Sequence, residues 1–153
     1  MYKPPIVEMT NRASAERQHS ETLLHRDLTD QIIGVFYAVY NELGFGFLES
    51  VYESAFAIAL ETAGHSVQRQ VGMAVWFRGI NVGDFRADLI VDHAVIIEVK
   101  AVRILEAAHE AQILNYLRCT NLEVGLLFNF GPRPAFKRMA FANERKGIRV
   151  HPR

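Results

Sequence analysis

Apolar residues recur at steps of three and four through Leu24, Leu28, Ile32, Val35, Val39 and Leu43, the spacing of one helical face. A first helix is predicted there, with Thr29 or Asp27 as candidate caps of an inner start. Gly44-Phe45-Gly46 breaks the pattern, and a second helix is expected over residues 47–63, with Gly64 as the left-handed residue that ends it. The period then changes to two. Val67, Val71, Met73, Val75 and Phe77 alternate with Gln68, Gln70, Gly72 and Trp76, Arg69 being the exception on the apolar side, which is the mark of a half-buried strand. Residues 79–83 read as a hairpin loop, followed by a strand over 85–91, a short Asp92-His93 turn and a strand over 95–100. A third helix fits 105–118, a buried strand 124–130 and an edge strand 136–141, with Gly131-Pro132-Arg133-Pro134 between the last two.

The order ααβββαββ describes an α/β domain with a mixed sheet, in which the helix over 105–118 makes the crossover. Residues 1–22 carry two prolines, mixed charges and no sustained period, and read as a tail or loosely docked arm. The domain proper is expected over 23–142, with a basic tail over 143–153.

Composition narrows the class. Half of the 153 residues are apolar and 22% are charged, which excludes wholesale disorder. The single cysteine, Cys119, makes no internal bridge. There is no N-x-[ST] acceptor and no secretory h-region, so a cytoplasmic protein is expected. No apolar run approaches the ~18 to 20 residues that cross a bilayer, so no membrane role is expected. The 17 basic and 17 acidic residues cancel, but unevenly: residues 1–130 hold 10 basic and 16 acidic side chains, a balance of −6, and residues 131–153 hold 7 and 1, a balance of +6.

Alternation selects the polar residues that matter. Along the strand over 94–100, Ala94, Ile96, Glu98 and Lys100 share one face. In the strand before it, Asp84, Arg86, Asp88 and Ile90 share a face, with Phe85, Ala87, Leu89 and Val91 opposite. Pairing through the Asp92-His93 turn brings Asp88 toward Glu98. Two carboxylates held together repel, and an oxygen-preferring divalent cation relieves that. The plainer alternative makes Glu98 and Lys100 an exposed edge-strand face and pairs Asp88 with Arg86 or Arg103. Glu49 and Tyr52 fall on one face at the start of the second helix, where Glu49 also suits a dipole-capping role. His109, Gln112 and Tyr116 form a polar stripe on the third helix opposite Ala108, Ala111 and Leu114, and its amide and phenol suit hydrogen bonds to phosphate or to the acids.

Taken in order, Gly46-x-x-Glu49-x-x-Tyr52, Arg86-Ala87-Asp88, Glu98-Val99-Lys100 and Gln112-x-x-x-Tyr116, with Asn41-Glu42-Leu43-Gly44 and Asn129-Phe130-Gly131, resemble the GxxExxY protein family of the PD-(D/E)XK nuclease superfamily over about residues 28–142. The resemblance implies a restriction-endonuclease-like core, a mixed central sheet flanked by helices. It also implies a site in which Asp88 and Glu98 bind Mg²⁺, with Mn²⁺ as a substitute, while Lys100 orients water and stabilises charge. Glu49 is then the helical acid that completes the metal environment. Gln112 and Tyr116 match the helical Q-x-x-x-Y element beside the site, and with Tyr52 and Arg86 they make the expected substrate-binding set. The usual proline before the first Asp is replaced here by Arg86-Ala87.

Other motifs fail on spacing. Gly44-x-Gly46-x-x-Glu49 lacks the third glycine of a dinucleotide fingerprint and follows a helix. His109-Glu110 lacks a histidine at position 113. Cys119 reads as a structural thiol. Three functions follow: a Mg²⁺-dependent nuclease acting on DNA first and RNA second, helped by the basic C-terminal end; a binding module for nucleic acid or protein on the same fold, suggested by the modest charge; and a homodimer or larger assembly built on Phe36, Tyr37, Tyr40, Phe45 and Phe47. One bound divalent cation changes the −6 of residues 1–130 to about −4.

Overall fold

A computed structural model describes residues 14–16 and 24–146. Most of the expected arm over 1–22, and the tail beyond 146, lie outside the described residues. Helix α1 (Arg26–Leu43) and helix α2 (Glu49–Thr62) lead into strands β1 (Val67–Phe77), β2 (Ile80–Val91) and β3 (Val95–Lys100). Helix α3 (Ala107–Cys119) connects to β4 (Val124–Asn129) and β5 (Ala135–Ala140), and a 3-10 turn follows at Asn143–Lys146. The ααβββαββ order is therefore as expected.

The sheet runs β1-β2-β3-β4-β5, antiparallel except for the parallel β3–β4 pair that α3 bridges. Helices α1 and α2 cover one face. Ile32, Phe36 and Val39 of α1 and Tyr52, Phe56 and Leu60 of α2 meet Leu89, Val91, Val95, Ile97, Val99, Leu126 and Phe128 there. The rings interlock, with Phe36 at 4.6 Å from Phe128 and Tyr52 stacked on Phe130 at 4.6 Å. Helix α3 covers the other face, where Ile113 and Leu117 meet Ala87, Ile90, Ile96 and Leu127. It approaches closely because β4 carries Gly125, whose Cβ, if present, would lie 2.5 Å from Ile113 Cγ2.

Local differences from the expected elements have identifiable causes. Helix α1 starts at Arg26 with no side-chain cap, and Thr29 Oγ1 instead donates to the Arg26 carbonyl at 3.0 Å. Helix α2 ends as expected: Gly64 has φ 95°, the Gly64 N–H donates to Glu61 O and the His65 N–H to Leu60 O. The β1–β2 turn is Arg78-Gly79, both left-handed, a two-residue turn whose twist matches the strands. Residues 80–83, expected as loop, belong to β2, because pairing with β1 supplies the order that Asn81 and Gly83 lack as strand formers. At the far end, Asn143 N–H donates to Glu123 and Lys146 Nζ to the carbonyls of Thr120 and Leu122. Residues 143–146 thus dock onto the domain and are not tail.

One larger correction sits in the first two strands. Val67 packs into the core under α1 and α2, but Val71 and Met73 pack into the one under α3. On β2, Phe85 and Ala87 join Ile90 on the α3 side, while Leu89 and Val91 face the other. The single-face alternation expected for both strands therefore breaks between Val67 and Val71 and between Ala87 and Ile90. Gln70, at φ 49°, lies at the break on β1, and Asp88 lies at the break on β2. Among the described residues no helix is long and apolar enough to cross a membrane.

Candidate active site

Strand β3 is the centre of the sheet and buried until its last residue, Lys100. Beside it, β2 pairs only from Val91 to Leu89, opposite Val95 to Ile97. The next position in register would set Asp88 opposite Glu98, and there the ladder opens. The Asp88 side chain takes over the role of the missing strand partner, its Oδ2 accepting the Val99 N–H at 2.7 Å. Gln70 Nε2 reaches Asp88 Oδ1 at 3.5 Å. These bonds, and no pair with Arg86 or Arg103, hold Asp88. Its carboxylate comes to Glu98 as the alternation and the Asp92-His93 turn required.

Glu98 is 6% exposed, and its Oε1 has no hydrogen-bond partner among the described residues. Burial, then the Asp88 carboxylate beside it, pushes the Glu98 carboxyl up to about 8, while Lys100 pulls it down. An orphaned buried oxygen is a cost that folding tolerates where something else is to be bound. The donors are carboxylate oxygens, which suit a hard divalent cation such as Mg²⁺ or Mn²⁺. Among the described residues no three His, Cys, Asp or Glu side chains form a group that would cage a metal. Asp88 and Glu98 together supply two carboxylates, a donor set of the chemistry that Mg²⁺ takes alongside water and phosphate.

Glu49 stands apart from that pair. Helix α2 lies on the opposite layer from α3, so the Glu49 carboxylate comes over the end of β3 and accepts the Ala101 N–H at 3.4 Å. That places it one residue beyond Lys100. The same helix brings Glu53, which the sequence pattern did not single out: it is buried, its Oε1 accepts from Gln70 Nε2 at 2.9 Å and lies 3.7 Å from Arg69 Nη2. Gln70 therefore spans two carboxylates, Glu53 and Asp88, from a left-handed backbone position that a non-glycine residue rarely adopts.

From α3, the Gln112 amide donates to the Tyr116 hydroxyl. The Tyr116 ring stacks on Phe85 at 3.7 Å, and its hydroxyl is shifted upward by burial and by the charges of Glu98 and Asp88. The stripe expected on this helix thus faces the acids. His109 does not join them: its Nδ1 accepts the Glu106 N–H at 3.0 Å and closes a capping box at the start of α3. Arg86 is exposed on β2. Tyr52 is fully buried, its hydroxyl donating to Gly44 O at 2.6 Å and accepting from Phe47 N at 3.3 Å. These two bonds shape the loop ahead of Glu49.

Behind Lys100 is a clamp whose residues carried only the family resemblance. Asn129 is 1% exposed. Its Oδ1 accepts from the N–H groups of Val102 and Gly131, both at 3.0 Å, and its Nδ2 donates to Val102 O at 2.8 Å. The chain leaving β3 is thereby fixed, and Lys100 with it. Asn129→Ala leaves the buried Gly131 N–H and the two part-buried Val102 groups without this partner and is expected to destabilise the protein by about 2 to 4 kcal/mol in urea unfolding. A value under 1 kcal/mol would mean that water replaces the amide without loss.

The family model of the PD-(D/E)XK nuclease superfamily matches residues 26–139, from the first helix into the last strand. No curated protein matches. Among solved structures, the chain is similar to the crystal structure of SSO0001, with 24% identity, 61% of this chain covered and a TM-score of 0.48, and it spans 50% of that chain's length. The restriction-endonuclease-like mixed sheet, flanked by helices and matched by the family model over three quarters of its length, places this chain in the PD-(D/E)XK nuclease superfamily.

Proposed function

We propose that the protein is a Mg²⁺-dependent nuclease of the GxxExxY branch, hydrolysing phosphodiester bonds in DNA, with RNA as the second candidate substrate. The observation that carries this reading is the buried, unpartnered Glu98 oxygen next to Asp88 and Lys100. Asp88 and Glu98 would hold the divalent ion, which when bound supplies Lewis-acid stabilisation of phosphate charge and a water of lowered pKa. Lys100 forms no ion pair among the described residues. Its ammonium is left to orient water and to stabilise the charge that builds on the phosphate. Glu49, beyond the end of β3, assists from the rim and is not a required metal ligand. Tyr116 and Gln112 line the α3 side and Arg86 the β2 side, as contacts for the substrate backbone. A single catalytic domain in the cytoplasm is part of the same reading.

Purified protein incubated with Mg²⁺ or Mn²⁺ and single-stranded, double-stranded and branched DNA, and with RNA, tests it. Metal-dependent cleavage that falls at least about a hundredfold in Lys100→Ala is the expected result. Equal behaviour of wild type and Lys100→Ala on every substrate would sink the nuclease reading. Salt-sensitive binding without any cleavage would identify a binding module on this fold.

A further inference from the structure

Two phenylalanines stand on the loop that leads into α2, just ahead of Glu49. Phe45 is 61% exposed and Phe47 49%, and Leu48 beside them is 77% exposed. Such rings normally fold inward, and here they cannot, because the loop is held open from beneath. The Tyr52 hydroxyl ties Gly44 O to Phe47 N, and the Phe47 ring meets the Tyr52 ring edge-on at 5.9 Å. Gly44 and Gly46, at φ 67° and 111°, supply the two left-handed positions this path needs. Tyr52 in turn stacks on Phe130, whose N–H donates to Lys100 O at 2.7 Å. Phe47 is therefore joined by a chain of contacts to the backbone of Lys100, Phe45 lies between the two left-handed glycines of the same loop, and Glu49 follows Leu48 directly.

Charge decides what they would meet. The described stretch 24–146 holds 12 Lys and Arg against 14 Asp and Glu, a balance of −2. Four basic residues of its C-terminal part are engaged within the fold, and Arg133 is exposed. Lys137 lies 4.0 Å from Glu110, and Arg138 bonds the Leu24 carbonyl. Arg145 sits 4.4 Å over the Phe141 ring, and Lys146 holds Thr120 and Leu122. A surface of this kind gains little from counterion release, the main source of affinity for a duplex. Affinity must come instead from stacking, which requires bases that are not already stacked in pairs.

We infer that Phe45 and Phe47 form a base-stacking platform and that the substrate is an unpaired nucleic-acid strand. The inference rests on the nuclease reading. Each exposed ring offers a face to one base, while Lys100 and the two acids meet the neighbouring phosphate. Stacking is indifferent to base identity, so the platform selects strandedness and not sequence.

The test uses the full chain with Ca²⁺ in place of Mg²⁺, fluorescein-labelled 12-mers of DNA and RNA, and the same 12-mers annealed to their complements, followed by anisotropy. Wild type is expected to prefer the single strand by at least about tenfold, and Phe45→Ala to lose about tenfold in single-strand affinity with no loss for the duplex. Phe45→Trp should retain the preference. Cleavage rates in Mg²⁺ should show the same ordering, and the DNA and RNA arms identify the sugar. Cleavage by wild type with equal affinity for both forms, unmoved by Phe45→Ala and Phe47→Ala, overturns the platform and leaves the nuclease standing. A change of oligomeric state in those variants, seen by light scattering without a change in strand preference, assigns the rings to a second copy and also overturns it. Absence of both binding and cleavage in wild type removes the nuclease reading, and the platform with it.

Discussion

Glu98→Gln should make the metal-free protein more stable above neutral pH while abolishing its response to Mg²⁺. The folded protein holds the Glu98 proton more tightly than the unfolded chain does, since the carboxyl rises from 4.5 to about 8. The stabilisation this represents is complete below pH 4.5 and is lost as the pH climbs through about 8. Within that window wild type should lose about 1.4 kcal/mol per pH unit relative to the neutral amide. By pH 9 the difference should be on the order of 4 kcal/mol, or roughly 10 °C in melting temperature for a chain of this size. Mg²⁺ should restore much of the wild-type loss, because a cation bound only to the folded state shifts the equilibrium toward it. It should leave Glu98→Gln unmoved, and metal-dependent cleavage in that variant should fall by about a thousandfold or more. Thermal melts at pH 5 to 9, with and without Mg²⁺, read all of this. Parallel curves for the two proteins would show that Glu98 is neither strained nor a metal ligand.

Gly131→Ala is expected to be the most damaging single methyl in the chain. A Cβ at this position would overlap the Val102 carbonyl oxygen and lie 3.0 Å from Asn129 Oδ1. Both obstacles belong to the clamp behind Lys100, and one of them is backbone, which cannot swing aside as a side chain can. Relief requires parting the chain after β3 from the end of β4, with loss of the Asn129 bonds. The expected cost is about 4 kcal/mol or more in urea unfolding, at the level of a severe core defect. Gly125→Ala serves as the contrast. Its new methyl would press on Ile113 and Ile96 side chains, which can shift at a cost of about 1 to 3 kcal/mol. Equal destabilisation by the two substitutions would mean that the clamp yields as easily as the core.

Phe45→Ala is expected to make a different kind of change, altering strand preference and leaving stability alone. Together the three substitutions separate the seat of the metal, the frame that holds the lysine, and the surface that meets the strand.

Much of this protein can be read from the chain alone. Steps of three and four place α1 and α2, the change to period two announces the sheet, and the parity of Glu98 and Lys100 assigns them to one face. These hold because they depend on local geometry: a helix repeats every 3.6 residues and a strand every two, whatever surrounds them. The approach of Asp88 to Glu98 was legible in outline from the turn after Val91, but the register was not: Val91 pairs with Val95 across the three residues 92–94, and that spacing is what sets Asp88 opposite Glu98.

Tertiary structure decided the rest. Period two could not reveal that β1 and β2 exchange faces at Gln70 and Asp88, because the left-handed backbone of Gln70 is stable only with Glu53 from α2 and Asp88 from β2 to hold its amide. Glu53 lacked any local signal for the same reason, and Tyr52 changed from a substrate contact to a buried strut once Phe130 covered its ring. Of the basic C-terminal end, folding placed Glu110, Leu24, Phe141 and Thr120 against Lys137, Arg138, Arg145 and Lys146, contacts that composition could not show, while Arg149 and Arg153 lie outside the described residues. By itself, then, the sequence determined the order of the elements and the shared face of Glu98 and Lys100 on β3, and it nominated the residues of the proposed chemistry. The tertiary structure decided which of them meet, because contacts between residues far apart in the chain depend on how layers stack and strands diverge, and no local period encodes either.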